Sequence, residues 1–154
     1  MERVLTGAVA ELQVAVAELR ELARGVHPAI LTEEGLPAAL ESLASRTPLD
    51  VRVEGGLDER LPPEIEAAGY FLACEALANA VKHADAAHVR ISAMRQDGKL
   101  VLEVVDDGRG GADPSAGSGL RGLADRLEAH GGRLVVANAA GGGTRVTGEI
   151  PCAS

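Results

Sequence analysis

The chain has 154 residues, of which 46% are hydrophobic and 25% charged, with a formal net charge of −8. This length and composition predict one soluble globular domain with some flanking structure. The acidic balance and the near absence of aromatic residues (no Trp, one Tyr and one Phe) disfavour nucleic-acid binding by overall charge or by base stacking, and we expect no nucleic-acid partner.

The spacing of the cysteines and the length of the apolar runs indicate the cellular compartment in which the chain works. Cys74 and Cys152 lie far apart and form no CxxC pair, which favours a reducing, cytoplasmic environment and two ordinary thiols. No apolar run approaches the ~20 residues that span a bilayer, so we expect no membrane contact by this chain. A membrane anchor elsewhere in a longer, full-length protein stays open.

In chain order, the first predicted element is a helix over residues 2–25, where apolar side chains recur at intervals of three and four. Its apolar stripe has no partner within the segment and must pack on another helix. A second helix is predicted from about residue 34 to 46, where Thr32 precedes two acidic residues. Pro62-Pro63 then begins a long third helix that ends near residue 84.

The second half of the chain alternates strands with glycine-rich turns. Asp97-Gly98 is a hairpin signal, residues 107–119 form a glycine-rich loop, and a fourth helix follows to about His130. The predicted strands are residues 49–53, 87–94, 100–105, 134–137 and 144–150. This order predicts an α+β fold: a two-layer α/β sandwich whose mixed, mostly antiparallel sheet is covered by helices on one face, with an N-terminal helix before it.

Two segments carry polar groups in an unusual setting. Glu75, Asn79, Lys82 and His83 fall on one stripe of the long helix, because offsets of four, seven and eight return to the same face. Alanines surround this stripe, and polar groups on a buried face need partners. The second segment, residues 106–111, is an acidic turn too rich in glycine for a helix or strand interior.

Simpler interpretations of these segments exist. Taken alone, Glu75 and Asn79 are more often polar points on an amphipathic helix, and the acidic turn is more often an ordinary turn after a strand. A calcium loop of the EF-hand type is excluded, because the acidic residues that it needs at alternate positions and at the twelfth are missing. The two segments together favour a nucleotide pocket.

In this order the segments resemble the ATP-binding domain of sensor histidine kinases, in the superfamily shared with DNA gyrase, heat-shock chaperones and mismatch-repair ATPases. The phrases at residues 18–20 and 25–28 resemble the second dimerisation helix and linker of its nitrate-sensor-like branch. The pocket segments that carry the resemblance are Glu75 to His83 (asparagine box), Asp106 to Gly110 (first glycine box), Gly117 to Gly122 (second glycine box) and Gly142-Gly143-Thr144 (closing Gly-Thr element).

The resemblance implies a Bergerat-type ATP-binding fold, with residues 1–30 a remnant of the dimerisation helix and linker and residues 31–154 the ATP-binding catalytic domain. It implies ATP and Mg²⁺ as cofactors. Asp106 would accept a hydrogen bond from the adenine amino group, Asn79 would ligate Mg²⁺, and Glu75 would orient or deprotonate the attacking group. The other implied cofactor-binding residues are Lys82, His83, Gly108, Gly110, Gly117, Gly119, Leu120 and Thr144.

The implied function is a kinase of a two-component signal-transduction system, a transferase that passes the γ-phosphoryl group of ATP to a histidine. None of the four histidines (His27, His83, His88 and His130) is followed by an acidic residue, as the family's acceptor is. We therefore expect a piece of a longer protein that binds ATP without autophosphorylating. The implied partners are a missing acceptor-histidine helix, a response regulator, and a second copy in the full-length homodimer.

Two rival functions use the same pocket. An anti-sigma-factor-type serine kinase is disfavoured by the helical prefix, since such kinases have little before their first strand. A non-catalytic nucleotide-binding interaction module is disfavoured because Glu75, Asn79, Asp106 and both glycine clusters are intact.

Overall fold

The computed structural model describes residues 7–9, 12, 28–82, 85–111 and 118–152. The helix expected over residues 2–25 lies almost entirely outside these ranges, although residues 7–9 and 12 are helical. His27, His83 and Gly117 also lie outside the described residues. Within the described ranges, no helix combines the length and the apolar character that a bilayer span requires.

Four further helices are described. The helix predicted from about residue 34 to 46 is present as α2 (Leu36–Arg46), but a short helix that was not predicted, α1 (Ala29–Glu34), precedes it and contains Thr32. Gly35 separates the two helices because its φ of +96° ends the first, and its N–H donates to the carbonyls of Ile30 and Leu31. The later helices are α3 (Pro63–Lys82) and α4 (Ser118–Ala129).

Five strands form one sheet in the order β1-β2-β3-β5-β4. Only β1 and β2 pair in parallel, so the sheet is mixed and mostly antiparallel, as predicted. Every predicted strand is present within two residues of its expected bounds. The strands are β1 (Asp50–Glu54), β2 (His88–Gln96), β3 (Lys99–Asp106), β4 (Arg133–Asn138) and β5 (Thr144–Pro151).

The turn between β2 and β3 confirms the Asp-Gly hairpin signal. Asp97 and Gly98 have φ values of +52° and +72°, and they join Gln96 to its partner Lys99. Two consecutive residues with positive φ give the two-residue turn whose twist matches that of the flanking strands.

The core is aliphatic and lies between the sheet and the helices. Along β3, buried residues alternate with partly exposed ones, because one face of the sheet packs on helices and the other faces water. The largest fully buried side chains are Leu36, Leu40, Leu72, Ile91, Leu100, Leu102, Leu127 and Ile150. Gly69 lets α3 approach closely, since a Cβ there would lie 3.0 Å from Leu100 and 3.2 Å from Leu36.

A buried carboxylate joins the first helices to α3. Glu66 is only 2% exposed, and its two carboxylate oxygens accept hydrogen bonds from Nε and Nη2 of Arg60, each at 3.0 Å. The same Nη2 donates to the carbonyls of Leu31 (3.3 Å) and Thr32 (3.1 Å) in α1. The hydrogen bond with Glu66 raises the pKa of Arg60. The pair therefore connects α1, α3 and the loop between β1 and α3, a connection that the sequence did not reveal.

The topology brings the end of α3 to the end of β3. Residues 83–87 connect Lys82 to the first residue of β2, and the second residue of β2, Val89, pairs with Asp106. Because this connection has only five residues, the end of α3 must lie near the start of β2 and therefore near the end of β3. The two predicted site segments therefore lie at the same end of the molecule.

Candidate functional site

Asp106 is the last residue of β3 and is only 8% exposed. Its Oδ1 atom accepts hydrogen bonds from the backbone N–H of Gly108 (2.9 Å) and of Thr144 (3.2 Å). Both bonds reach the same oxygen, and no described residue donates a hydrogen bond to Oδ2. The carboxylate is therefore held in a fixed orientation with one oxygen able to accept from a ligand.

The start of β5 packs directly on the backbone of Asp106. Thr144 is 6% exposed, and its amide is one of the two donors to Asp106. Gly143 has a φ of +88°, and a Cβ at this position would overlap the carbonyl oxygen of Asp106. The closing Gly-Thr element thus forms one side of the Asp106 environment.

Asp107 fixes the turn to the beginning of β2. Its Oδ1 accepts from the backbone N–H of Ala87 (2.8 Å) and His88 (2.9 Å), and its Oδ2 lies 2.8 Å from Nδ1 of His88. The backbone N–H of His88, then its ring, then the N–H of Ala87 lower the pKa of Asp107 from 3.8 to about 2. Sequence reasoning assigned Asp107 no role, because its partners at the start of β2 lie 19 and 20 residues away and no local pattern indicates such a contact.

The glycine turn is also held at its far end. Gly110 has a φ of +73°, and a Cβ there would lie 2.8 Å from the carbonyl oxygen of Gly143 and 3.1 Å from Oδ1 of Asn138. The same Oδ1 accepts a hydrogen bond from the N–H of Gly111 at 2.9 Å. The positive φ and the backbone of the β4–β5 hairpin therefore both favour glycine at position 110. Asn138 is a second residue that sequence reasoning missed.

Glu75 and Gly119 bring α3 and α4 together. Glu75 is partly buried, and a Cβ on Gly119 would lie 2.6 Å from its Oε2 atom. Leu120 is 7% exposed and anchors the first turn of α4 in the core. Further along α4, the guanidinium of Arg126 lies 4.2 Å from the ring centre of Phe71 on α3. The second glycine box is therefore adjacent to the acid that the first motif supplies.

Asn79 and Lys82 lie in the last turns of α3. Asn79 is partly buried and Lys82 is exposed. The amide of Asn79 makes no hydrogen bond to any residue within the described ranges, so its oxygen is able to coordinate a cation. A hard oxygen donor here, one turn after the carboxylate of Glu75, fits Mg²⁺, which takes few oxygen ligands from a protein and completes its shell with waters and substrate phosphates.

The structure therefore gathers the predicted residues into two neighbouring groups. Asp106, Gly108, Gly110 and Thr144 form the turn group, whereas Glu75, Asn79, Lys82, Gly119 and Leu120 lie on or against α3. An exposed ion pair, with 3.8 Å between Nε of Arg109 and Oδ2 of Asp85, joins the turn to the segment between α3 and β2. The two remaining predicted positions, His83 and Gly117, lie outside the described residues.

The family model of the histidine kinase-, DNA gyrase B-, and HSP90-like ATPases matches residues 70–154. This match includes every candidate site residue and more than half of the chain. The chain belongs to this ATPase family. The predicted resemblance is confirmed, and with it a nucleotide-binding domain whose ligand is ATP.

Curated relatives are sensor histidine kinases. The sensor histidine kinase MctS of Rhizobium johnstonii is 32% identical over 93% of this chain and 33% of its own length. The sensor histidine kinase NarS of Mycobacterium tuberculosis is 35% identical over 94% of this chain and 36% of its own length. The chain spans about a third of the length of these relatives.

Solved structures of histidine kinases share the fold. The histidine kinase domain of the blue-light activated kinase from Erythrobacter litoralis superposes with a TM-score of 0.57 at 28% identity, covering 75% of this chain and 57% of that domain. The ATP binding domain of PrrB from M. tuberculosis gives a TM-score of 0.60 at 26% identity, covering 77% and 92%. The predicted Bergerat-type fold is therefore confirmed.

Proposed function

We propose that the chain is the ATP-binding catalytic domain of a two-component sensor histidine kinase. ATP with Mg²⁺ binds between α3 and the turn at residues 106–111, and its γ-phosphoryl group passes to a histidine on a separate helix. The observation that carries the proposal is the buried carboxylate of Asp106, whose two hydrogen bonds occupy one oxygen and leave the other for a ligand.

Adenine recognition follows from this arrangement. A buried carboxylate oxygen can accept a hydrogen bond from the exocyclic amino group of adenine. Guanine has a carbonyl oxygen at the corresponding position, so the buried acceptor would face a second acceptor and both would lack a donor. A site that loses such a bond rejects the wrong ligand strongly, because desolvated polar groups remain unpaired.

The phosphate end of the nucleotide is assigned to the α3 residues. Asn79 supplies an amide oxygen for Mg²⁺, and the bound ion would neutralise part of the phosphate charge. Glu75, one turn earlier, orients the attacking group or accepts its proton, and the exposed Lys82 supplies a positive charge. In phosphoryl transfer, positioning and charge stabilisation account for most of the catalysis, which suits a site with these three residues.

The partners of the whole protein are proposed from its relatives. Their names as sensor histidine kinases support a role in which residues 1–30 belong to a dimerisation helix of a homodimer. The acceptor histidine would lie on another helix, because no histidine of this chain precedes an acidic residue. A response-regulator aspartate would then receive the phosphoryl group. We assign the domain to the cytoplasm, where ATP is supplied.

Calorimetric titration with ATP, with and without Mg²⁺, tests this proposal. The chain should bind ATP, and Asp106→Asn should lower the affinity at least about tenfold, the cost of losing one charge-assisted hydrogen bond. Asn79→Ala should remove the difference between titrations with Mg²⁺ and with a chelator. Asp125→Asn, an exposed carboxylate on α4, is the matched control and should bind normally.

Two results would overturn the proposal. One is the absence of ATP binding by the unaltered chain in the presence of Mg²⁺. The other is an unchanged ATP affinity in Asp106→Asn, provided that circular dichroism and thermal denaturation show an intact fold. The fold should survive, because the amide oxygen of the Asn side chain can still accept from Gly108 and Thr144.

A further inference from the structure

Asn138 ends the edge strand β4 and stands opposite Thr144 in the register of the sheet. Its Oδ1 atom accepts a hydrogen bond at 2.9 Å from the N–H of Gly111, which belongs to the glycine turn and not to the hairpin of Asn138. The side chain therefore connects the edge of the sheet to the far end of the turn that begins at Asp106.

The β4–β5 hairpin is closed without this side chain. The N–H of Ala139 donates to the carbonyl of Gly143 at 3.0 Å, and the N–H of Gly142 donates to the carbonyl of Ala139 at 3.1 Å. These backbone bonds satisfy the hairpin by themselves. The amide of Asn138 is consequently available to the neighbouring turn, and its loss should affect the turn more than the stability of the hairpin.

The glycine turn needs such an external contact. Gly110 and Gly111 both have positive φ (+73° and +75°), and consecutive glycines lose more conformational entropy on ordering than other residues. At the near end, Asp106 and Asp107 hold the turn through Gly108 and His88. At the far end, Asn138 accepts the hydrogen bond of Gly111 and lies against Gly110.

We propose that Asn138 is a positioning residue that determines base specificity, by holding the turn at residues 106–111 in the conformation that presents Asp106 to adenine. This inference rests on the proposed function, because it acts through the nucleotide site. The hydrogen bond to Gly111 keeps the turn in one conformation before a nucleotide binds, so that Asp106 meets the base in a fixed geometry and the turn loses less entropy when ATP binds. A residue with a purely structural role would change stability and leave the preference for ATP over GTP unaltered.

The test compares two nearly isosteric substitutions. Asn138→Leu keeps the approximate size of the side chain and removes the acceptor, whereas Asn138→Asp keeps an acceptor at the same position. Val135→Ala, at an exposed position of the same edge strand, is the control for altering β4. For each protein, calorimetry gives the affinity for ATP and for GTP with Mg²⁺, and amide hydrogen exchange gives the protection of Gly111.

We expect Asn138→Leu to lose protection at Gly111 and to bind ATP roughly three- to tenfold more weakly, as for one exposed hydrogen bond, with a smaller preference for ATP over GTP. Asn138→Asp should keep all three quantities (the protection, the ATP affinity and the preference for ATP) close to those of the unaltered chain, and Val135→Ala should change none of them. The inference is overturned if Asn138→Leu loses protection at Gly111 and still binds ATP normally, or if the Asp variant fails to rescue. If the unaltered chain does not bind ATP, the proposed function is wrong, and this inference is overturned with it.

Discussion

Glu75 and Gly119 are in contact across the interface between α3 and α4, although they come from different sequence motifs. A Cβ on Gly119 would lie 2.6 Å from Oε2 of Glu75, a separation that real Cβ atoms do not show. Gly119 is in the first turn of α4, which begins at Ser118. The carboxylate of Glu75 therefore lies at the positive end of a helix, where a negative charge is stabilised. Because glycine has no side chain, position 119 leaves room for this carboxylate.

The first prediction concerns Gly119→Ala. The added methyl group should displace the carboxylate of Glu75, a flexible group, so the free energy of unfolding should change by less than about 1 kcal/mol. Since the displaced carboxylate is assigned to the phosphate end of the site, the Mg²⁺-dependent affinity for ATP should fall about tenfold. Urea denaturation and calorimetry measure the two quantities.

Gly122→Ala is the matched control on the same helix. A Cβ at this position meets nothing within 4 Å, so the substitution adds only helix propensity. It should stabilise the chain by about 0.5–1 kcal/mol and leave ATP binding unchanged. Equal effects of the two substitutions on nucleotide binding would contradict the assignment of Glu75.

Local signals in the sequence predicted the fold well. Each strand follows from alternation bounded by glycine-rich turns, and the β2–β3 hairpin follows from Asp97-Gly98 because those residue types adopt positive φ readily. The two main motifs could be placed at the same end of the strands, because a short connection joins α3 to β2 and a hairpin joins β2 to β3. These features depend on residues that are close together in the chain.

The contacts that the sequence did not predict join distant residues. Arg60 reaches Leu31, Asp107 reaches Ala87, and Asn138 reaches Gly111, over separations of 29, 20 and 27 residues. A periodic pattern indicates which face of an element is buried and not which neighbour it meets. Helix α1 escaped prediction for another reason, since its six residues are too few to establish a helical period.

A second prediction separates backbone strain from steric overlap in the β4–β5 hairpin. Gly141 and Gly143 both have positive φ (+84° and +88°), but only at Gly143 would a Cβ overlap the backbone of Asp106. Gly141→Ala should cost about 1–2 kcal/mol of stability, the usual penalty for a left-handed alanine. Gly143→Ala should cost at least about twice as much, because the overlap adds to the same penalty.

Chemical denaturation measures both losses, and ATP titration adds a second readout. If Gly143→Ala folds, its nucleotide affinity should also fall, since Asp106 must move, whereas Gly141→Ala should bind normally. Similar stability losses in the two variants would show that the hairpin relaxes freely around Asp106, contrary to the packing described above.

The third prediction concerns the buried carboxylate of Glu66. Arg60→Met removes its guanidinium partner and leaves a carboxylate that is 2% exposed with the N–H of Leu61, at 3.1 Å, as its remaining donor. A buried charge without its partner is strongly destabilising. The denaturation midpoint should therefore fall several times further than in Arg95→Met, whose partner Glu59 is 80% exposed. Comparable shifts in the two variants would contradict the structural role of Arg60.

The fourth prediction is an acid-dependent loss of stability caused by Asp107. Its pKa is lowered from 3.8 to about 2 in the folded chain. Because the folded value is the lower one, the charged carboxylate stabilises the fold fully above about pH 4 and this contribution disappears as the pH falls towards 2. Asp107→Asn should therefore lose stability at neutral pH, and the difference from the unaltered chain should shrink steadily below pH 4.

The free energy of unfolding measured from pH 2 to pH 6 tests this prediction. The groups that face Asp107 are the N–H groups of Ala87 and His88 and the His88 ring, whose Nε2 lies 3.8 Å from a carboxylate oxygen of Asp50. Glu149, whose pKa is lowered by Arg133 at the other end of the sheet, also titrates. Glu149→Gln is thus the control, and its effect should add to that of Asp107→Asn. Parallel curves for Asp107→Asn and the unaltered chain would contradict the assignment, because a substitution that removes this titration must change the slope.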